Sequence, residues 1–196
     1  SQGYEIHVQT KKGLRHAFIE GFQKVRGDIV ITFSPDGNCI PEFIPKLIEE
    51  MNNGYDMVIA SRYKGPAKSY DDGLVTGFGN KFFNIVTSQL HGFPYTDCMG
   101  MFRAYRTNCF YDLGLDREDS YRVEKLFFTV LGCEPLLSVP AAKMKLKIAE
   151  IPADEPARCY GERKLQIFSW GAGYLCQFIL EYFSNKYRLK LKAPKP

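Results

Sequence analysis

Apolar residues in the first third of the chain follow two alternating spacings. In 13–25 and again in 41–51 they recur every three or four residues, which predicts two amphipathic helices. In 28–33 and 56–60 they form short uninterrupted runs, which predict buried strands. Helices and strands that alternate in this way are typical of an α/β fold, in which helices cover a mostly parallel central sheet.

The later part of the chain has a less regular pattern. It predicts a helix around 78–89, a loop entering a strand at 96–106, a helix at 121–131 and a strand near 146–151. The last helical stretch, 165–183, is rich in aromatic residues and too interrupted to span a membrane. It can lie on a lipid surface with its apolar side down, or pack on the sheet or on a partner subunit of a homo-oligomer.

Composition is consistent with one globular domain. The chain has 196 residues, of which 45% are hydrophobic, enough for one substantial core. The net charge of +4 is mild and fits an anionic partner such as a phosphate or a membrane surface. Five cations lie in the last eleven residues, either as a solvated tail or as a membrane-surface anchor. Basic residues are not interleaved with exposed aromatic ones along a strand pattern, which argues against a nucleic-acid partner.

The six cysteines are scattered and form no C-x-x-C pair, which argues against a zinc site and a disulfide framework. They are typical of reduced core residues in a cytoplasmic protein. The sequence has no signal peptide and no apolar run long enough to cross a bilayer. We therefore expect a cytoplasmic location, with peripheral contact at the membrane face as an option.

A carboxylate follows the first predicted strand directly. Asp36 lies in the turn Ser34–Asn38, at the end of a strand where ligands of parallel sheets gather. Such a carboxylate can hold a hard divalent cation that bridges a diphosphate. Pro-Asp-Gly is also an ordinary turn sequence, so the residue alone does not define a site.

Two further segments carry charge in unusual surroundings. In 96–106 an acid, Asp97, precedes Arg103 and Arg106 among apolar residues, which is costly unless the charges pair or bind a ligand. An internal Asp97–Arg103 salt bridge is the alternative to a ligand site. In 158–164, three cations lie on a glycine-containing loop that opens a helix, which suits a phosphate, although a solvated basic loop has the same composition.

Taken in order, these segments resemble the family 2 glycosyltransferases related to dolichol-phosphate mannose synthase. The resemblance covers the chain from about Gly13 to the end of the last helix. The matching segments are Gly-Asp-Ile-Val at 27–30, Asp-Gly-Asn at 36–38, Asp-Met-Val-Ile-Ala-Ser-Arg-Tyr at 56–63, Thr-Asp at 96–97, Phe-Arg-Ala-Tyr-Arg at 102–106, Glu124, Glu-Ile-Pro at 150–152, and Arg-Cys-Tyr-Gly-Glu-Arg-Lys at 158–164. The last of these is similar to the family loop R-x-x-G-E-S-K, with Arg163 in place of the serine. The family metal motif D-x-D is matched by Ser34-Pro35-Asp36, with a hydroxyl in place of the first acid.

The resemblance implies a GT-A fold, a nucleotide-diphosphate sugar donor, a Mg²⁺ or Mn²⁺ ion, inversion at the anomeric carbon and a polyprenyl phosphate acceptor. Asp36 would bind the metal and Asp97 would orient the sugar or the acceptor, so both are predicted catalytic residues. The predicted substrate-binding residues are Arg62, Arg103, Glu124, Arg158, Arg163 and Lys164. The alternatives are the same fold with a soluble phosphorylated acceptor, or a non-catalytic module that binds nucleotide sugars or membranes.

The predicted organisation has three parts. Residues 1–164 form the GT-A domain, 165–185 an apolar helix and 186–196 a basic tail. Sheets of this type normally open with a strand and a ligand-binding loop, whereas this sequence begins close to a helix. We therefore expect the domain to lack its opening strand. The Asp36 turn and the basic loop near Lys164 are predicted to converge on one diphosphate.

Overall fold

The computed structural model describes residues 5–117, 120–121, 123–127, 131–159 and 167–184. Their strands are β1 (Ile29–Thr32), β2 (Met57–Ser61), β3 (Arg103–Arg106) and β4 (Ile148–Pro152). Their α-helices are α1 (Leu14–Phe22), α2 (Ile44–Asn52), α3 (Leu74–His91), α4 (Thr107–Asp112), α5 (Glu124–Phe127), α6 (Cys133–Lys143) and α7 (Ile167–Phe183). A 3₁₀ turn, Pro41–Phe43, leads into α2.

The described strands form one mixed sheet in the order β1–β3–β2–β4. β2 and β4 are parallel, whereas β3 is antiparallel to both of its neighbours, β1 and β2. β1, β2 and β4 therefore point in the same direction, as a mostly parallel sheet requires, but β3 runs against them in the middle. The prediction did not include this reversal, because an apolar run indicates burial and carries no information about direction.

The burial of β2 explains why its sequence is an apolar run. All five of its residues are buried, because both faces of the sheet are covered. Met57 and Ile59 pack in the larger core beside α1, α4, α6 and α7, and Val58 and Ala60 pack against α2 on the other face. A strand with two buried faces has no polar side to alternate with.

Two helices were not predicted, and a third differs in extent. α4 and α6 have no counterpart among the predicted elements, and α5 occupies only part of the predicted helix at 121–131. α6 is buried at consecutive positions, including Leu136, Leu137 and Val139, and it contains Pro140. A helix that is buried all round lacks the periodic polar face on which sequence-based prediction depends.

α7 packs mainly on other helices. It contacts α3, α5 and α6, with Phe178 fully buried and its ring centroid 5.8 Å from that of Phe83 in α3. Its other side exposes apolar residues, including Leu180 and Phe183. The sequence predicted that this helix either lies on a lipid surface or packs on protein. Its inner side is a packing surface within the chain. In the described part of the chain, every helix is too short or too polar to cross a bilayer.

The last residue of α3, His91, is expected to make folding stability depend on pH. Burial, together with the nearby charge of Lys143, lowers the pKa of His91 to about 4. Because the folded state disfavours the protonated ring, this stability is complete above the unfolded pKa near 6.5 and is lost as pH falls toward 4. We expect the free energy of unfolding to fall by at most about 3 kcal/mol over this range. Urea unfolding at pH 7 and pH 4.5 measures it, and His91→Leu should remove this part of the pH dependence; an equal loss in that variant would contradict the assignment.

Candidate active site

The main cleft of the described chain lies at the carboxyl ends of the three strands that point the same way. It has a volume of about 640 Å³. Asp36 follows β1, Arg62 follows β2, and Glu155 and Arg158 follow β4, and all four line the cleft. These residues are distant along the chain and meet here because the ends of strands with one direction lie at one edge of the sheet.

The Asp36 turn is built to present a carboxylate. Ser34 Oγ donates a hydrogen bond of 2.6 Å to Asp36 Oδ1, which fixes the side chain. Gly37 has a φ of +85°, in the left-handed region that favours glycine. The turn also receives a hydrogen bond of 2.9 Å from the backbone N–H of Cys159 to the carbonyl of Asp36. A Cβ on Gly37 would lie 3.1 Å from the Cys159 side chain, so the turn and the segment after β4 are closely packed.

Arg158 brings the first cation of the predicted basic loop to Asp36. Its Nη2 lies 3.5 Å from Asp36 Oδ2 and 3.2 Å from Asp71 Oδ2. The backbone N–H of Arg158 also donates to Asp71 Oδ1 at 3.3 Å. The structure therefore brings together Asp36 and the start of the basic segment. Arg163 and Lys164 lie outside the described residues, as does the tail at 186–196.

Arg62, which lines the cleft, forms a bidentate ion pair with Asp97. Arg62 Nε donates to Asp97 Oδ2 at 2.7 Å, and Arg62 Nη2 donates to Oδ1 at 2.8 Å. The backbone N–H of Arg62 also donates to Oδ2 at 3.1 Å. The partner of Asp97 is thus Arg62 and not Arg103, the partner considered from the sequence. Asp97 is fully buried, so in this arrangement any effect on a ligand would have to pass through Arg62.

Glu150 of β4 holds the segment that carries Asp97. Its carboxylate accepts hydrogen bonds of 3.0 Å from the backbone N–H groups of Thr96 and Asp97, and one of 2.5 Å from the Thr96 hydroxyl. The Thr-Asp and Glu-Ile-Pro segments, which are more than fifty positions apart, are therefore one structural unit. This unit sets the position of Asp97, which in turn fixes the guanidinium of Arg62.

Glu155 connects three parts of the site, and the sequence analysis missed it. Its carboxylate accepts hydrogen bonds from Asn38 Nδ2 at 3.2 Å, from Arg62 Nη1 at 3.4 Å and from the hydroxyl of Ser69. Burial raises the pKa of Glu155 above its ordinary value, although Arg62 partly opposes the shift. Its place, just after a strand end, was the signal that could have identified it.

Arg103 is not placed as predicted. It is fully buried, and its guanidinium donates to the carbonyls of Gly100 and Cys98 and to the hydroxyl of Ser138. Of these residues Gly100 lines the main cleft, but Arg103 itself does not. The expectation that Arg103 faces a phosphate is corrected accordingly: its charge is accommodated internally by oxygen acceptors, and it supports the 98–100 loop.

Glu124 does not line the cleft but pairs with a residue that does. Its Oε2 lies 2.6 Å from Nη1 of Arg15, and its Oε1 accepts a hydrogen bond of 2.7 Å from the backbone N–H of Leu131. Arg15, which lies 4.2 Å over the ring of Tyr121, lines the cleft, whereas Glu124 does not. The residue that can reach a ligand here is therefore Arg15, and Glu124 positions it.

The charges around the cleft favour a cation. The lining groups include five carboxylates and three guanidinium groups: Asp36, Asp71, Asp72, Asp154 and Glu155, with Arg15, Arg62 and Arg158. From these described groups alone, a diphosphate would meet net negative charge unless cations accompany it. Within the described ranges, acidic, histidine and cysteine side chains form no group of three or more that could hold a metal ion. One carboxylate beside a hydroxyl fits a metal that takes its other ligands from phosphate oxygens and water, as Mg²⁺ often does.

Gly100 gives a test of how tightly the ion pair is packed. A Cβ on Gly100 would lie 2.9 Å from Asp97 Oδ2, so Gly100→Ala requires the carboxylate or the loop to shift, which disturbs the ion pair with Arg62. We expect a loss of about 2 kcal/mol in the free energy of unfolding, measured with urea. The control is Gly77→Ala in α3, where a Cβ meets nothing within 4 Å, and which should stabilise the helix by up to about 1 kcal/mol. Equal stability of the two variants would show that the pair is loosely held.

Comparisons with known proteins agree with this geometry. The chain shares its fold with glucosyl-3-phosphoglycerate synthase from Mycobacterium tuberculosis, solved in complex with Mn²⁺, uridine-diphosphate-glucose and phosphoglyceric acid. The TM-score is 0.53 at 15% identity, over 89% of this chain and 56% of that one. The fold is thus that of the GT-A glycosyltransferases. The family model described as glycosyl transferase family 2 matches residues 2–114, and the chain belongs to that family.

Two relatives have names that specify an acceptor. The undecaprenyl-phosphate 4-deoxy-4-formamido-L-arabinose transferase of Pseudomonas fluorescens is 34% identical over 101 residues, which are 52% of this chain and 28% of that protein. The UDP-N-acetylglucosamine–dolichyl-phosphate N-acetylglucosaminyltransferase of Methanococcus voltae is 30% identical over 151 residues, 75% of this chain and 57% of that protein. The matched region therefore covers 28% of the length of the first of these curated relatives and 57% of the second.

Proposed function

We propose that this chain forms part of an inverting glycosyltransferase that moves a sugar from a nucleotide-diphosphate sugar to a polyprenyl phosphate. The observation that carries the proposal is the meeting of Asp36, Arg62 and Arg158, from three strand ends, in one cleft. The acceptors named in the two relatives, undecaprenyl phosphate and dolichyl phosphate, support the acceptor class. The donor class is supported by the nucleotide sugar bound in the M. tuberculosis structure.

In the proposed reaction, an acceptor phosphate oxygen forms a bond to the anomeric carbon, and the bond from that carbon to the diphosphate breaks. The acceptor phosphate is already anionic near neutral pH, so positioning and charge stabilisation replace a strong general base. Asp36, with the hydroxyl of Ser34, would hold a Mg²⁺ or Mn²⁺ ion, which neutralises charge on the leaving diphosphate. Arg62, held by Asp97 and Glu155, contributes fixed positive charge, and Arg158, which Asp71 contacts, contributes a second positive charge.

A surface beside the cleft supports a lipid acceptor. One face of α3 exposes Leu74, Phe78, Phe82 and Ile85, with Leu74 96% and Phe78 75% exposed. The first turns of the same helix line the cleft through Val75, Thr76 and Gly79. A helix with this face in the membrane interface would place the acceptor phosphate next to the site. We therefore propose peripheral contact with the cytoplasmic membrane face, with 1–164 as the transferase domain, 165–185 as a helix packed on it and 186–196 as a basic membrane-facing tail.

The test is a transfer assay of the full-length protein. Nucleotide-diphosphate sugars are screened with Mg²⁺ or Mn²⁺ against a short polyprenyl phosphate in mixed micelles, and products are identified by mass spectrometry. We expect one donor to give a glycosyl polyprenyl phosphate. Transfer to phosphoglyceric acid alone would replace the proposal by the soluble-acceptor alternative. Nucleotide binding by calorimetry without turnover on either acceptor would indicate a non-catalytic module.

A further inference from the structure

Among the described residues, the side-chain contacts of Arg158 are made through one end of its guanidinium, Nη2. Its Nη2 is shared between Asp36 Oδ2 at 3.5 Å and Asp71 Oδ2 at 3.2 Å. Its Nε is buried and finds no hydrogen-bond acceptor among the described residues. A buried donor without an acceptor is costly, so this position leaves Arg158 incompletely satisfied. An anionic group could satisfy this donor once the side chain moves.

Asp36 has limited capacity for a second cation. Its Oδ1 accepts the hydrogen bond from Ser34, and its Oδ2 faces Arg158. A divalent cation at Oδ2 would be within a few ångströms of the guanidinium, where two positive charges repel strongly. Occupation of Oδ2 by a metal ion therefore requires Arg158 to move away from it.

Asp71 provides the place to which Arg158 can withdraw. It accepts the backbone N–H of Arg158 at Oδ1 and the guanidinium at Oδ2, so the main-chain contact persists when the side chain leaves Asp36. Asp71 lies in the loop between β2 and α3, and it lines the same cleft. The guanidinium would therefore stay beside the cleft after the exchange.

We propose that Arg158 acts as the resident counter-ion of Asp36, that a divalent cation displaces it, and that Asp71 then holds it in position for the diphosphate. Asp71 is thus a positioning residue. The inference rests on the proposed function in that Asp36 is taken as the metal-binding carboxylate. It adds that metal and arginine compete for one carboxylate oxygen, and that metal binding makes the arginine available to the nucleotide.

The experiment measures Mn²⁺ binding in the full-length protein without nucleotide, from the electron paramagnetic resonance signal of free Mn²⁺. Because its competitor is removed, Arg158→Gln should bind Mn²⁺ about tenfold more tightly than the wild type. Asp36→Asn should lose this binding. With saturating Mn²⁺, Arg158→Gln should bind uridine diphosphate about tenfold more weakly, as should Asp71→Asn. Opposite effects of Arg158→Gln on the two ligands cannot come from misfolding, which would weaken both.

The matched control is Lys68→Gln, which removes an exposed positive charge from the loop between β2 and α3. It should change Mn²⁺ affinity by less than twofold. An unchanged or lower Mn²⁺ affinity in Arg158→Gln would overturn the proposal, as would an equal gain in Lys68→Gln. Wild-type protein that binds no Mn²⁺ but still transfers sugar would overturn the competition and leave the proposed function intact. The expected Mn²⁺ results without sugar transfer would do the reverse.

Discussion

Asp36→Asn is expected to lower kcat/KM for sugar transfer by about a thousandfold, or about 4 kcal/mol of transition-state stabilisation. The substitution keeps the size of the side chain, and its amide oxygen can still accept the hydrogen bond from Ser34. It removes the negative charge that we propose holds a cation at the diphosphate. Steady-state transfer with the lipid acceptor measures the effect, and urea unfolding verifies that the variant is folded.

The control for Asp36 is at the opposite end of the same strand. Asp28 is exposed and directly precedes β1, whereas Asp36 follows it at the cleft. Asp28→Asn removes the same charge without touching the site, and its kcat/KM should stay within twofold of the wild type. Similar activity in the two variants would show that Asp36 has no part in the reaction.

The second large effect concerns folding. Asp97→Ala should lower the free energy of unfolding by about 3–5 kcal/mol, because it leaves the guanidinium of Arg62 largely buried without its main partner. Arg62→Met combined with Asp97→Ala should lose much less, since neither charge then remains. Urea unfolding of the wild type, both single variants and the double variant gives the coupling energy directly.

This cycle also separates two roles for Asp97. If Asp97→Ala keeps its stability and loses transfer, Asp97 acts on the substrate as a catalytic residue, as the sequence predicted. If Asp97→Ala loses stability and the double variant loses much less, Asp97 acts by fixing Arg62. Asp28→Ala serves as the stability control, because an exposed carboxylate should contribute less than about 0.5 kcal/mol.

Sequence reasoning predicted what depends on local pattern. β1 and β2 were predicted from apolar runs, and the rule that ligands gather at strand ends predicted that Asp36 lies at the edge of the sheet where the cleft is found. The family assignment depended on the order of several short segments, which is a property of the chain itself. The family model that matches residues 2–114 confirms it.

The pairing of charges could not be predicted in the same way. Asp97 is closer in sequence to Arg103, but the fold brings Arg62 to it across thirty-five positions. Glu155 and Asp71 had no local signal beyond their places after β4 and before α3, because their partners come from other segments. Arg103 was predicted to face a phosphate because a sequence does not show which carbonyl groups accept its hydrogen bonds in the fold.

Cys159 sits against the turn of Asp36, and it is the exposed cysteine of the described chain, whereas Cys98, Cys109 and Cys133 are buried. A maleimide reagent at low stoichiometry will therefore react there first. The protein thus carries a natural attachment point for a fluorophore or spin label next to the cleft. Ligand-induced changes can be followed from that position in the wild-type sequence, without engineering a new thiol.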